Sequence, residues 1–208
     1  SLLATLDYEA GEGLMIHFKR VEEPASFDQE VRIPGRNWLR EHPNTKRPRD
    51  LWPPFRSSLA SGFRDLCGYS AMWIPEGTVD HYISCAEDRK KAYEWDNYRY
   101  AAHWINSSKS GGHNESFRVL DPYEVGDGWF EIILPSLQLV VSEMLPRDMK
   151  KRAEYTLSKL HLRDDERVIR QRREWYRMYC DGEITLAVLE KKAPLIARAI
   201  KKEQQESL

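Results

Sequence analysis

Asp80 and His81 are adjacent, Asn97 follows sixteen residues after the histidine, and Asn106 nine residues after that. An imidazole titrates near neutral pH, so His81 is suited to take a proton from an attacking water. The carboxylate of Asp80 and the amide oxygen of Asn106 are hard oxygen ligands of the kind that hold Mg²⁺ or Mn²⁺ while leaving waters on the ion. A base and a cation at one phosphorus are what phosphodiester hydrolysis needs. Successive strand side chains point to opposite faces, so Asp80 and His81 are expected where a strand ends.

The elements that must position these residues can be read from pattern. Residues 78–83 are β-rich, 87–94 predict a small helix within a connection, 98–102 a second strand, and a short helix carries Asn106 until Gly111-Gly112 ends it. Upstream, residues 1–14 lack periodicity and read as an extension. Ser26 opens a helix that Pro34-Gly35 should interrupt. Residues 44–54, rich in Pro, Lys and Arg, read as a loop. Phe55, Leu59, Phe63 and Leu66 recur at helical spacing and predict a core-facing helix over 54–66. Downstream, 129–134 and 137–141 predict strands, and Asp121-Pro122 a turn. Helices are predicted over 147–160, over 164–179 with Asp164 as N-cap, and over 185–203. The expected units are 15–66, a nuclease-like core over 67–145 and a helical region over 146–208.

Asp80-His81, Asn97 and Asn106-Ser107-Ser108-Lys109, in this order and between these elements, resemble the HNH, or ββα-metal, family of endonucleases. The resemblance covers residues 67–111. It implies an α+β fold, with a ββα-metal core embedded in a mainly helical protein whose C-terminal region is helical. It also implies roles: His81 as general base, Asn97 as brace of the loop carrying that base, Asp80 and Asn106 as metal ligands, Lys109 facing the phosphate, and DNA as substrate. Many members hold a structural zinc on two Cys-x-x-Cys pairs. The corresponding positions here are Cys67, Ser70, Ala102 and Ile105, one sulfur of the four ligands a closed site needs, so no structural zinc is expected. Stand-alone HNH nucleases encoded beside ATPases in bacterial antiphage systems are similar in size and layout, which implies an ATPase partner subunit. Two rival functions stand beside DNA cleavage: a non-catalytic binding or scaffold subunit, and an RNase.

The chain has 208 residues, 41% hydrophobic and 31% charged, with a formal net charge of −1. That near-neutral total hides segments of opposite sign: residues 147–177 carry eleven Lys/Arg against six Asp/Glu, and 112–146 one against six. Arg170, Arg173 and Arg177 share one helix face and are expected to meet nucleic-acid phosphates. Cys67, Cys85 and Cys180 are too few for a disulfide framework and predict free thiols. With no apolar run of about 20 residues, no membrane contact is expected, and the location should be cytoplasmic.

Overall fold

The computed structural model describes residues 17–109 and 118–207; the expectations for residues 1–14 and for the helix stop at Gly111-Gly112 lie outside them. Along the chain run α1 (Ile33–Glu41), α2 (Arg56–Gly62), β1 (Thr78–His81), β2 (Tyr98–Ala101), α3 (His103–Lys109), β3 (Phe130–Ile133), β4 (Gln138–Val141), α4 (Arg147–Lys159), α5 (Glu166–Cys180), α6 (Leu186–Lys192) and α7 (Pro194–Glu206). The class is α+β, with two separate two-stranded antiparallel sheets, β1–β2 and β3–β4. Among the described residues, no helix is long and apolar enough to cross a membrane.

Pro34-Gly35 does not interrupt the first helix. A π-helical stretch, Asp28–Arg32, leads directly into α1. The wider turn adds a residue just ahead of Pro34, where a proline ring would otherwise meet the carbonyl four residues back. Gly35 is required for another reason: a Cβ there would lie 2.3 Å from the ring of Tyr93. The helix thus presses its backbone onto the connection between β1 and β2.

The stripe Phe55, Leu59, Phe63 and Leu66 is buried as its spacing predicts. It is carried by a 3₁₀ turn at Pro53–Phe55 and by α2, which stops at Gly62 because Arg64 and Asp65 turn to φ near +57° and +56°. The single helix expected over 185–203 is two helices. Pro194 supplies no N–H, and the residue before a proline is pushed out of the helical region; Ala193 accordingly sits at φ −147°, ψ 64°. The freed carbonyl of Lys192 accepts from the Trp73 N–H at 2.8 Å. The N-cap of α5 is Asp165 rather than Asp164, its side chain accepting from the Arg167 N–H.

One hydrophobic core runs through the described residues from Phe18 to Ile200. Within it β1 pairs antiparallel with β2, placing Asp80 opposite Arg99 and His81 opposite Tyr98, and α3 follows β2 after one residue and packs on β1. Gly35→Ala should test the packing of α1. Helix propensity alone would favour alanine by about 1 kcal/mol, whereas overpacking costs about 1–3 kcal/mol. Urea denaturation is expected to show net destabilisation of the variant.

Candidate functional site

β1 ends at His81, so the Asp-His pair does sit at a strand end, and the alternation of side chains sends the two residues to different partners. The His81 ring lies edge-on against Trp52, with centroids 4.4 Å apart, and against Tyr98 at 4.9 Å. Its Nε2 lies 2.9 Å from the Ala92 carbonyl oxygen. A carbonyl can only accept, so Nε2 carries the proton and Nδ1 is the unprotonated nitrogen. Among the described residues nothing hydrogen-bonds Nδ1. Burial lowers the His81 pKa below its ordinary value, with the Asp80 charge opposing, so the ring favours the neutral, basic form.

Asn97 holds the carbonyl that holds the histidine. Its Nδ2 donates to the Ile83 and Lys91 carbonyls, both at 2.9 Å, and its Oδ1 accepts from the Ile83 N–H at 2.8 Å. Ile83 lies two residues beyond His81 and Lys91 one before Ala92, so a single buried amide ties both ends of the connection around the imidazole. The Tyr98 hydroxyl donates to the same Ala92 oxygen at 3.0 Å. A short 3₁₀ turn at Arg89–Lys91, capped by Asp88, leads into this segment.

Asp80 faces the other way. It is 2% exposed, and both its oxygens accept from Lys109 Nζ, at 2.8 and 2.9 Å. The Tyr69 hydroxyl donates to Oδ2 at 2.5 Å, and Lys109 Nζ also donates to the His81 carbonyl at 2.7 Å. Burial, then Asp80, raise the Tyr69 pKa well above its ordinary value, which keeps it a neutral donor. Burial pulls the Lys109 ammonium below its ordinary value against the opposing attraction of Asp80. The expectation that Lys109 faces a phosphate is therefore corrected: it is 4% exposed and turned inward. Its place on α3 explains this, because a lysine extending toward β1 meets the only carboxylate the strand carries.

Asn106 is partly buried on α3, three residues from Lys109 and so on the same helix face. The structure thus joins Asp80 to Lys109 of α3, and sets the His81 ring against Ala92 in the connection that Asn97 ties and against Trp52 from the loop ahead of α2. Mg²⁺ or Mn²⁺ would look to Asp80 for its charge. With Lys109 and Tyr69 on that carboxylate, Asp80 does not fit a divalent ion in this arrangement, and among the described residues no three His, Cys, Asp or Glu side chains converge as a metal group.

Of the four positions compared with zinc ligands, Cys67 and Ala102 are in contact. Cys67 Sγ accepts from the Ala102 N–H at 3.4 Å, and the turn over 66–73 is closed by Cys67 N–H to the Met72 carbonyl and Ala71 N–H to the Cys67 carbonyl. All three cysteines are unpaired thiols, Cys180 alone being exposed. Asp121 is more than a turn residue: it forms a buried bidentate pair with Arg99, at 2.6 and 2.5 Å.

The α5 arginines are largely compensated. Arg177 pairs with Glu174, Asp181 and Glu183, and Arg170 approaches Glu166 at 4.0 Å, while Arg173 is exposed. Arg172, from the same run, is buried under the Leu137, Leu162 and Arg163 carbonyls, and its burial pulls its pKa down to about 10. The residues that sequence reasoning missed are Trp52, Tyr69 and the Ala92 carbonyl. Only Trp52 had a signal, an aromatic residue inside a Pro-rich loop. Neither a protein-family model nor a curated protein matches the sequence.

Two outcomes follow. Lys109→Met leaves a buried carboxylate unpaired and should cost about 3–5 kcal/mol, whereas Asp80→Leu/Lys109→Met should recover much of that loss; chemical denaturation of the three proteins measures the coupling. For His81 the folded pKa is depressed, so the unfolded chain binds more protons below the ordinary value of about 6.5 and stability falls as pH drops through that region. Wild type should therefore lose more stability than His81→Gln between neutral and acid pH. Parallel pH profiles would contradict the buried neutral imidazole.

Proposed function

We propose that this protein is a phosphodiester hydrolase of the HNH type, with DNA as substrate and His81 as general base. The observation that carries the reading is the His81 tautomer: Nε2–H is fixed on the Ala92 carbonyl, which leaves Nδ1 basic, and Asn97 fixes the segment bearing that carbonyl. A water deprotonated by Nδ1 becomes the nucleophile. The imidazolium that results is stabilised by the same carbonyl, now accepting from a charged donor. Holding the ring on backbone rather than on a flexible side chain spares the reorganisation that a mobile base would need.

Lys109 supplies the positive charge beside the base, bridging the Asp80 carboxylate and the His81 carbonyl. That pairing also favours a second reading, in which the chain is a binding or scaffold subunit that keeps the strand-strand-helix arrangement without the chemistry. A carboxylate neutralised inside the fold is a structural element first. Under either reading an ATPase partner is proposed on the resemblance alone.

Plasmid nicking by purified protein separates the readings. It should be run with Mg²⁺, with Mn²⁺ and with EDTA, since the carboxylate expected to hold the ion is occupied by Lys109, and with single-stranded RNA beside DNA. His81→Ala should lower the cleavage rate about 10²–10⁴-fold, and Asn97→Ala should lower it as well, because the segment bearing the Ala92 carbonyl is then no longer tied. Equal nicking by wild type and His81→Ala would remove His81 as base. No cleavage by wild type under any of these conditions would favour the scaffold.

A further inference from the structure

The segment 43–52, most of what the sequence reads as a loop over 44–54, and α1 together carry Arg36, Arg40, Lys46, Arg47 and Arg49 against Glu41 and Asp50. All five cations are exposed. Folding brings two further cations, Arg89 and Lys90, against this segment. The Arg89 guanidinium donates to the Leu39, His42 and Thr45 carbonyls at 2.6–2.9 Å, fastening the 3₁₀ turn to the end of α1 and to the loop. The Tyr93 hydroxyl donates to the Arg49 carbonyl at 3.0 Å, fastening the loop further along. Between α1 and residues 89–93 lies an open cleft of about 590 Å³, with Arg36, Asn37, Arg40, Arg89, Lys90 and Tyr93 in its wall.

The charges in this cleft are poorly compensated. Glu94 is shared between Arg32 and Arg36. Arg40 donates to the Asn37 side chain, Arg89 only to carbonyls, and neither they nor Lys90 pair with a carboxylate among the described residues. The contrast with α5, where Arg177 alone meets three carboxylates, decides which basic surface is available to a polyanion. The cleft also adjoins the base. Tyr93 lines it while the preceding residue, Ala92, holds the His81 ring, and Trp52 at the end of the same loop packs on that ring.

We propose that the cleft between α1 and residues 89–93, together with the basic loop over 46–49, is the binding site for the phosphodiester backbone of a nucleic acid, delivering a strand to His81. The proposal rests on the reading of the chain as acting on nucleic acid, but not on its cutting one. The occupant is a phosphate backbone because Arg40 and Lys90 carry charge that no carboxylate among the described residues answers, while Ile33 and Leu39 line the rest of an open wall and the Tyr93 hydroxyl and Arg89 guanidinium are committed to backbone carbonyls. Bound phosphates would release counterions, so affinity should fall steeply with salt.

Fluorescence anisotropy with labelled duplex DNA and with single-stranded RNA, across a salt series, tests this on the full chain in a His81→Ala background. Arg40 and Lys90 are the residues to change, since both are exposed and neither supports the carbonyls that Arg89 does. Arg40→Ala/Lys90→Ala should weaken binding at least about tenfold and reduce the log–log salt slope by about two, one unit per lost phosphate contact. Arg170→Ala/Arg173→Ala should bind as the parent does. The proposal is overturned if the cleft variant binds like its parent, if the α5 variant loses the affinity instead, or if the parent binds neither DNA nor RNA. Binding through the cleft without cleavage by wild type would leave this inference standing and remove the nuclease reading; cleavage with binding indifferent to the cleft would do the reverse. Unchanged thermal unfolding of both variants separates lost contacts from lost fold.

Discussion

The ion pair between Asp80 and Lys109 is the constraint on which the arrangement of the central region depends. The partners are 29 residues apart, and their contact clamps α3 onto β1. Two charges taken out of water cost several kcal/mol each, and attraction repays this only where the remaining hydrogen-bonding capacity is met. Here it is largely met: Tyr69 adds a third hydrogen bond on the carboxylate, and the His81 carbonyl takes the ammonium's third donor. The next pair along follows the same rule. Arg99 stands opposite Asp80 across the strands, and rather than compete for that carboxylate it turns to Asp121 and lies over the Tyr123 ring at 4.0 Å. Two acids and two bases thus occupy one buried layer with each charge assigned a partner, and no buried side-chain polar atom among the described residues is left unsatisfied.

Because β1 alternates, fixing Asp80 toward α3 fixes His81 away from it. The imidazole therefore takes its support from the connection between the strands, which has little regular structure of its own. Three devices hold that connection: the Asn97 amide on residues 83 and 91, the Arg89 guanidinium on the end of α1 and the following loop, and the Gly35 backbone pressed on Tyr93. The Asn97 amide and the Arg89 guanidinium satisfy backbone groups that a loop would otherwise leave to water, and the Arg89 and Gly35 contacts each span more than forty residues of sequence. The anchoring of the His81 ring and the basic cleft are consequences of one scaffold, since the segment that places Ala92 against His81 also forms the cleft wall.

What was legible in the sequence is what depends on local pattern. The order strand, connection, strand, helix follows from β-rich runs and their punctuation. The core stripe from Phe55 to Leu66 follows from period, and the buried Asn97 can be suspected from its place just before the second strand. What was not legible depends on partners distant in the chain. A lysine three residues after Asn106 gives no sign of whether it points to solvent or to a carboxylate 29 residues earlier. Pro34-Gly35 reads as a break until the π-helical stretch and the Tyr93 ring are seen, and Ala193-Pro194 reads as continuous until the proline's effect on its predecessor is weighed. The arginine count on α5 overstates its net charge for a related reason: Glu174, Asp181 and Glu183 pair with Arg177 from the same stretch of chain, whereas the cations of the α1 cleft gather from two segments about fifty residues apart.

The two halves of the Asp-His motif answer to different demands, and this is why one can be well formed while the other is closed. A general base needs a fixed ring, one nitrogen pinned and the other basic, and a backbone carbonyl on a braced loop meets that need with no further charge. A cation site needs the opposite: oxygen ligands whose charge is not already spent. Asp80 has spent its charge on Lys109, and burial raises the cost of separating them, since an ammonium and a carboxylate parted in a low-dielectric interior are each left uncompensated. Opening that half of the site therefore requires something that replaces both the cation on Asp80 and the acceptors on Lys109.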